Sequence, residues 1–346
     1  MKILLNLVGT GLGNNGGSQS IIRMALELSK LNNDVKILLD SVNRFDWFDG
    51  FDHLLQYVNN VDEMMWPKCD VIIATGCGTV KSTLYYPYVS IKNKFYWIRG
   101  HETWSMCEDD LFKNYKSGLR LLVNSEWLKE MIFRKCNIPS IIQYPGYVDG
   151  DSYRLGITYV RGRIDDIRIG ILYYDDKPTK RFDQALNIVC RLNNLNKRTR
   201  VSLVLFGNKP INNRYMEYFN RISYKYYLKP TYEEKINLMK SCHIWLATTE
   251  LEGLHIPPIE AGLCGCNLVV KGLYSSGMSD YVIDEFSAKT FLTCEEAVEK
   301  TLEYSNNEKE RMNHMLNLQT LLVNKIGSVQ NNALKFQKIL EQSLEK

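Results

Sequence analysis

The 346-residue chain reads as an α/β protein built from two doubly wound parallel-sheet domains. Three observations point there. Short apolar runs alternate with amphipathic stretches from end to end, as expected of strands covered on both faces by helices. The alternation pauses once, at a turn-rich segment starting Pro145-Gly and a polar one, Arg161-Gly-Arg-Ile-Asp-Asp166, and then resumes. The length also exceeds one ordinary core and suits two.

Taken in order, the first run is 2–8. It resembles the start of a signal peptide only superficially. It breaks at once into Gly9-Thr-Gly-Leu-Gly-Asn-Asn-Gly-Gly17 and reads as a buried first strand. Further strands are expected at 35–39, 71–74, 95–98, 119–123 and 141–143. Helical patterns lie between them at 20–31 and 126–135, the latter with Asn124 or Ser125 placed to cap it. After the pause, strands are expected at 167–173, 201–206, 243–247 and 267–270, with helices at 182–194, 232–240 and 258–264. Apolar residues at Val329, Leu334, Phe336, Ile339, Leu340 and Leu344 make 328–344 a closing amphipathic helix. The domains are therefore drawn as 1–155 and 156–327, with 328–346 a C-terminal helix returning toward the first.

Composition narrows the class. Hydrophobic content of 45% and charged content of 24% are those of a soluble globular protein. No stretch approaches the roughly 20 apolar residues that span a bilayer, and a cytoplasmic location is expected. The nine cysteines are odd in number and scattered, and only Cys264 and Cys266 lie close together. No Cys/His spacing suggests zinc, so they read as buried reduced thiols. A net charge of +4 is too small to suggest a nucleic-acid partner. Residues 1–155 hold 17 basic and 17 acidic side chains, leaving 26 against 22 for the remainder. The surplus sits in the second half, which mildly favours an anionic ligand there.

Ligands of doubly wound sheets bind beyond the carboxyl ends of the strands, and four segments fall there. The glycine loop Gly9–Gly17 lets a ligand approach backbone closely. It does not complete a dinucleotide fingerprint, Asp40 is its one nearby acid, and no Lys-Ser/Thr follows for a Walker loop. Phe95-Tyr-Trp-Ile-Arg-Gly-His-Glu-Thr-Trp104 places His101 just past a strand; Ser105 stands where a zinc peptidase needs its second His. Asp176-Lys-Pro-Thr-Lys-Arg-Phe182 offers Lys177, Lys180 and Arg181 as a diphosphate clamp. Glu252-Gly-Leu-His-Ile-Pro-Pro-Ile-Glu260 runs a loop into a helix that Pro258 begins, with a carboxylate on each side. Such a segment can hold an anion on N–H groups and the helix end while its acids accept hydroxyl hydrogen bonds.

In this order the segments resemble a retaining glycosyltransferase of the GT-B fold, two Rossmann-like domains facing each other across a cleft, in the large group called family 4. The Glu252/Glu260 segment, running on into Ala261-Gly-Leu-Cys-Gly265, carries the likeness most specifically. Val123-Asn-Ser-Glu-Trp-Leu-Lys129, Pro145-Gly-Tyr-Val-Asp149, Gly170-Ile-Leu-Tyr-Tyr with Lys180, and Ser275-Ser-Gly-Met-Ser-Asp280 are similar to further family segments.

The resemblance implies roles. Glu260 would hold the donor ribose, while Glu252 with the amides of Gly253 and Leu254 would hold the transferred sugar. Lys180, with Lys177 or Arg181, would neutralise the leaving diphosphate. His101 would contact the sugar near the reacting carbon, and Gly16 and Gly17 would lie near sugar or phosphate. The chain departs from the family where Ile171 follows Gly170, where Arg181 replaces a Gly, and where His255 replaces another.

The implied reaction moves a sugar from a nucleotide-diphosphate sugar to a glycan, glycoprotein or glycolipid acceptor, with retention and without metal or other cofactor. A lipid-linked acceptor would bring peripheral membrane contact, although the balanced first half offers no basic face for it. Two other readings stay open: a nucleotide-sugar epimerase of the same fold, and a catalytically silent sugar-binding subunit. Base, sugar and acceptor are not legible.

Overall fold

The computed structural model describes residues 1–42, 45–59, 62–146, 162–174, 178–195, 200–272 and 276–345. The chain forms two compact units, Met1–Tyr147 with Gly327–Lys346, and Val148–Ile326. Of the expected junction near 150–165, residues up to 161 lie outside the described residues.

Unit 1 is a seven-stranded sheet of β1 (Lys2–Asn6), β2 (Asp34–Leu39), β3 (Leu55–Tyr57), β4 (Val71–Ala74), β5 (Lys94–Ile98), β6 (Arg120–Val123) and β7 (Ile141–Ile142). Its order is β3-β2-β1-β4-β5-β6-β7 and every pairing is parallel. All residues of β4 and β5 are buried, which is why 71–74 and, after Lys94, 95–98 read as unbroken apolar runs.

Helix Gly16–Lys30 starts where Asn15 accepts the Ser18 amide at 3.0 Å, and it buries Ile21, Ile22, Met24, Ala25 and Leu28. Helix Glu126–Cys136 is capped by Ser125, which accepts the Leu128 amide at 3.1 Å. Helix Val329–Leu344 belongs to the same core as helix Gly16–Lys30. Phe336 meets Trp97 edge-on at 5.3 Å, and Gln143 donates to the Asn332 carbonyl at 3.0 Å.

Unit 2 is a six-stranded sheet of β8 (Asp166–Leu172), β9 (Arg200–Gly207), β10 (Ser223–Leu228), β11 (Ile244–Ala247), β12 (Asn267–Lys271) and β13 (Lys289–Phe291). The order is β10-β9-β8-β11-β12-β13, again parallel. Gly170 lies within β8, where a Cβ would come 2.6 Å from Trp245; it makes room for packing and does not end the strand.

In each unit the strand order reverses once, between β1 and β4 and between β8 and β11. Loops leaving the carboxyl ends of these strands border the crevice where such sheets bind ligands. Those loops are 7–15 and 75–79 in unit 1, and the segments after β8 and β11 in unit 2.

Phe336, Ala333 and Leu340 share a core with Ile3, Leu5, Ile73 and Trp97, so unit 1 depends on the C-terminal helix. Phe336→Ala should cost about 3–5 kcal/mol and lower the thermal midpoint followed by tryptophan fluorescence. An unchanged midpoint would mean the helix contributes nothing to this core.

Candidate active site

In unit 2 the short turn Pro178–Lys180 precedes helix Phe182–Leu195 and borders β11. The Glu250 amide donates to Thr179 O at 2.9 Å, and the Thr248 hydroxyl donates to Arg181 O at 3.0 Å, tying the two post-strand segments together. Lys180 Nζ forms an ion pair with Glu252 and lies 5.1 Å from the centre of the Tyr174 ring. Arg181 holds a left-handed backbone at φ +48°, the place where the resembled family carries Gly. Its guanidinium goes instead to Glu250 at 3.0 Å, and Lys271 takes the other oxygen of that carboxylate at 2.9 Å. These two cations hold Glu250 below the ordinary carboxylate range against the opposing effect of burial. Lys177 lies outside the described residues.

The loop after β11 is pinned from one side by residues 276–281. Gly277 N–H donates to Glu252 O at 2.8 Å, and Tyr281 Oη donates to His255 O at 2.8 Å. A Cβ on Gly277 would fall 2.0 Å from Gly253 O, so only glycine fits. Leu251 and His255 both adopt positive φ, at 60° and 57°. His255 is buried, its Nδ1 3.1 Å from Met278 Sδ. Burial pushes its pKa down to about 4, with Glu252 opposing and Lys180 adding to the shift.

Helix Ile256–Leu263 follows, with Pro257 and Pro258 in its first turn and no side chain capping it. It begins two residues before Pro258. Leu254 is buried just ahead of it. One turn into the helix Glu260 is almost closed off, its side chain 4% exposed, and Lys235 reaches it from helix Tyr232–Lys240 at 2.6 Å. Lys235 also lies over the Tyr232 ring at 5.0 Å. The sequence gives no local sign of this pairing, because it joins residues 25 apart through side chains alone.

In unit 1 His101 is buried past β5 and stacked on Phe112 at 6.1 Å. Nδ1 faces the Tyr115 hydroxyl at 3.3 Å and Nε2 faces Glu108 at 3.1 Å. The Glu108 side chain is 53% exposed, which makes it the partner most easily exchanged. Gly16 and Gly17 are the first residues of helix Gly16–Lys30. Asp40 accepts the Gly9 amide at 3.0 Å and so anchors the glycine loop. Sequence reading passed over Arg99, the first residue after β5, whose Nη2 donates to Thr75 O at 2.7 Å.

Glu285, Glu310 and His314 come close enough to suggest a cation site. Both ring nitrogens of His314 are already engaged, by Tyr304 Oη at 2.8 Å and Glu285 O at 3.1 Å. Lys289 meets Glu285, Glu303 and Glu310 at 3.1, 2.5 and 2.9 Å, so the cluster is an ion-pair network around a buried lysine.

No family model and no curated protein matches the chain's sequence. Its fold is nevertheless similar to solved structures over the whole chain: two parallel-sheet α/β units in the GT-B fold. Among the particular neighbours is Alr3699/HepE of Anabaena, solved in complex with UDP-glucose, at 13% identity and a TM-score of 0.71 over 99% of this chain and 100% of that one. The pneumococcal O-GlcNAc transferase GtfA, solved with UDP and GlcNAc, is 11% identical at a TM-score of 0.71, covering 100% and 99%. Sucrose-phosphate synthase of Thermosynechococcus elongatus is 12% identical at a TM-score of 0.73, covering 99% and 98%.

Two histidines of unit 2, His255 and His243, are pushed down to about 4, in both cases chiefly by burial, with Arg168 adding for His243. A folded-state pKa below the unfolded value means that stability is full above about pH 6.5 and is lost as pH falls toward 4. Each histidine should cost about 2 kcal/mol at pH 5 relative to pH 7. Thermal unfolding at the two pH values checks this: unit 2 should lose stability, and His255→Gln should remove part of the loss. A flat profile for the wild type would show that neither histidine is held neutral.

Proposed function

We propose that the chain is a glycosyltransferase. It moves a sugar from a nucleoside diphosphate sugar to a saccharide or glycoconjugate acceptor, with retention at the anomeric carbon and without a divalent metal. The carrying observation is the succession in unit 2 of Glu252, an uncapped helix start and Glu260, with Lys180 brought onto Glu252 from the neighbouring post-strand turn. The GT-B fold supports the class. HepE was solved with UDP-glucose and GtfA with UDP and GlcNAc, which makes uridine nucleotide sugars the first donors to test.

In this reading Glu260, oriented by its ion pair with Lys235, accepts the ribose hydroxyls. Glu252 and the amides of Gly253 and Leu254 hold hydroxyls of the transferred sugar. Lys180 turns from Glu252 to the diphosphate and, with the helix end, stabilises charge as the anomeric carbon–oxygen bond lengthens. The acceptor oxygen attacks the same face. A carbon–oxygen bond forms to the acceptor as the bond to the phosphate breaks, and the acceptor proton passes to the leaving phosphate oxygen. Arg181, committed to Glu250, holds the turn that presents Lys180. In unit 1, His101 is proposed as a further sugar-contacting residue, freed by exchanging the exposed Glu108 while Tyr115 keeps its ring in place.

Turnover of UDP-glucose and UDP-GlcNAc against a saccharide panel tests the reading. Lys180→Ala should lower kcat by about 100- to 1,000-fold, the usual effect of losing one donor to developing charge. Glu260→Gln should weaken UDP binding, and the product should keep the donor's anomeric configuration. Full turnover by Lys180→Ala with unchanged donor affinity would contradict the assignment. A new sugar isomer formed from the donor alone would favour an epimerase.

A further inference from the structure

Helix Phe182–Leu195 borders an open cavity of about 360 Å³ in unit 2. Its polar lining is Arg181, Asp183, Gln184, Asn187, Tyr218 and Lys271. The volume falls within the range of small-molecule sites, about 300–1,000 Å³. Lys180, Glu252 and Glu260 are not among the lining residues, so the cavity is distinct from the segments assigned to the donor.

The cations beside this cavity are already matched. Arg181 turns Nε and Nη2 to one oxygen of Glu250, and Lys271 meets the other. With Asp183 also present, two positive charges face two negative ones. Glu250 thus does for the cations what a bound anion would do. A cavity without net charge has no field to draw an anion in.

What the lining has left over is hydrogen-bonding capacity of both kinds. Lys271 Nζ also donates to Gln184 Oε1 at 3.0 Å, and Asn187 Oδ1 accepts Arg191 Nε at 3.0 Å. That leaves Asn187 Nδ2 and Arg181 Nη1 as donors, the Asp183 carboxylate as an acceptor and the Tyr218 hydroxyl as either. None of these four has a hydrogen bond among the described residues. The Tyr218 ring is half-buried and packed against the core of unit 2, which holds it in place. Donors and acceptors set beside an aromatic ring suit a ligand whose hydroxyl groups both give and take hydrogen bonds.

We propose that this cavity is a second binding site, one that takes an uncharged, hydroxyl-rich ligand of mono- or disaccharide size. A free sugar and a remote residue of a longer glycan share that chemistry. The site goes beyond the proposed function and does not rest on it. Arg181, which stands where the resembled family carries glycine, supplies part of its lining next to the Lys180 turn.

Saturation-transfer NMR on the full-length protein tests the site, with glucose, galactose, N-acetylglucosamine and a linear malto-oligosaccharide as probes. Wild type should bind at least one probe, and equally well under saturating UDP and in Lys180→Ala. Asn187→Ala and Tyr218→Phe should each weaken that binding about tenfold, the effect of losing one good hydrogen bond. Their thermal midpoints should stay near that of wild type, since alanine favours the helix and phenylalanine keeps the ring. Equal affinity for a monosaccharide and the oligosaccharide assigns the site to a free sugar; tighter binding of the oligosaccharide assigns it to a longer glycan.

No probe bound by wild type, or unchanged binding in both variants, would overturn the site. Binding lost in Lys180→Ala or displaced by UDP would place the sugar with the donor and overturn a second site. Displacement of the sugar by inorganic phosphate would overturn the uncharged ligand class. Sugar binding that depends on Asn187 in a protein without transferase turnover would keep this site and sink the functional reading. Turnover with no variant-sensitive sugar binding would do the reverse.

Discussion

The geometry of unit 2 depends on the contact between Gly277 and Gly253. With no side chain at Gly277, residues 276–281 press directly on the loop after β11, and Gly277 N–H takes the Glu252 carbonyl. That contact and the Tyr281–His255 hydrogen bond hold a backbone in which Leu251 and His255 sit at positive φ. Each such residue costs about 1–2 kcal/mol, and the loop keeps this shape because its neighbours over-determine it. The chain enters helix Ile256–Leu263 at a fixed angle as a result, and Glu252 and Glu260 are held on either side of the helix start. The prolines of the first turn fit there because that turn needs no intrahelical N–H.

Charge is arranged differently in the two units. Around the unit 2 loop Lys180, Arg181, Lys271 and Lys235 each meet a glutamate. Partly exposed pairs of this kind are worth little each, so a diphosphate can take over a cation without a large loss. Glu260 and Lys235 are more enclosed, and breaking that pair by removing one partner should be more disruptive. Arg99 in unit 1 is the contrast, its Nε and Nη1 having no hydrogen-bond partner among the described residues.

Much of the fold is legible in the sequence, and what is missed has a common cause. Strands flanked on both sides, such as β4 and β5, are apolar (β5 after its first residue, Lys94) and stand out from their surroundings. The three strands that sequence reading passed over, β3, β10 and β13, all lie at sheet edges. There one side is open, and β10 (Ser-Tyr-Lys-Tyr-Tyr-Leu) carries mostly exposed residues with no apolar run to mark it. Helices Cys294–Asn306 and Glu308–Leu321 also went unnamed, the second having almost no apolar stripe. In the candidate site, Lys180, Glu252 and Glu260 are marked by local pattern. The Lys235–Glu260 and Arg181–Glu250–Lys271 pairings are not, because they arise only when distant segments are folded together.

The proposed function requires that unit 2 grip a nucleoside diphosphate sugar between the Lys180 turn and the loop leading into helix Ile256–Leu263. Hydrogen exchange read peptide by peptide, with and without UDP-glucose or UDP, tests it most directly. Slower exchange should concentrate in 178–182 and 252–263, with the edge strand β10 unaffected. Saturating ligand that left those two segments unchanged while protecting others would contradict it.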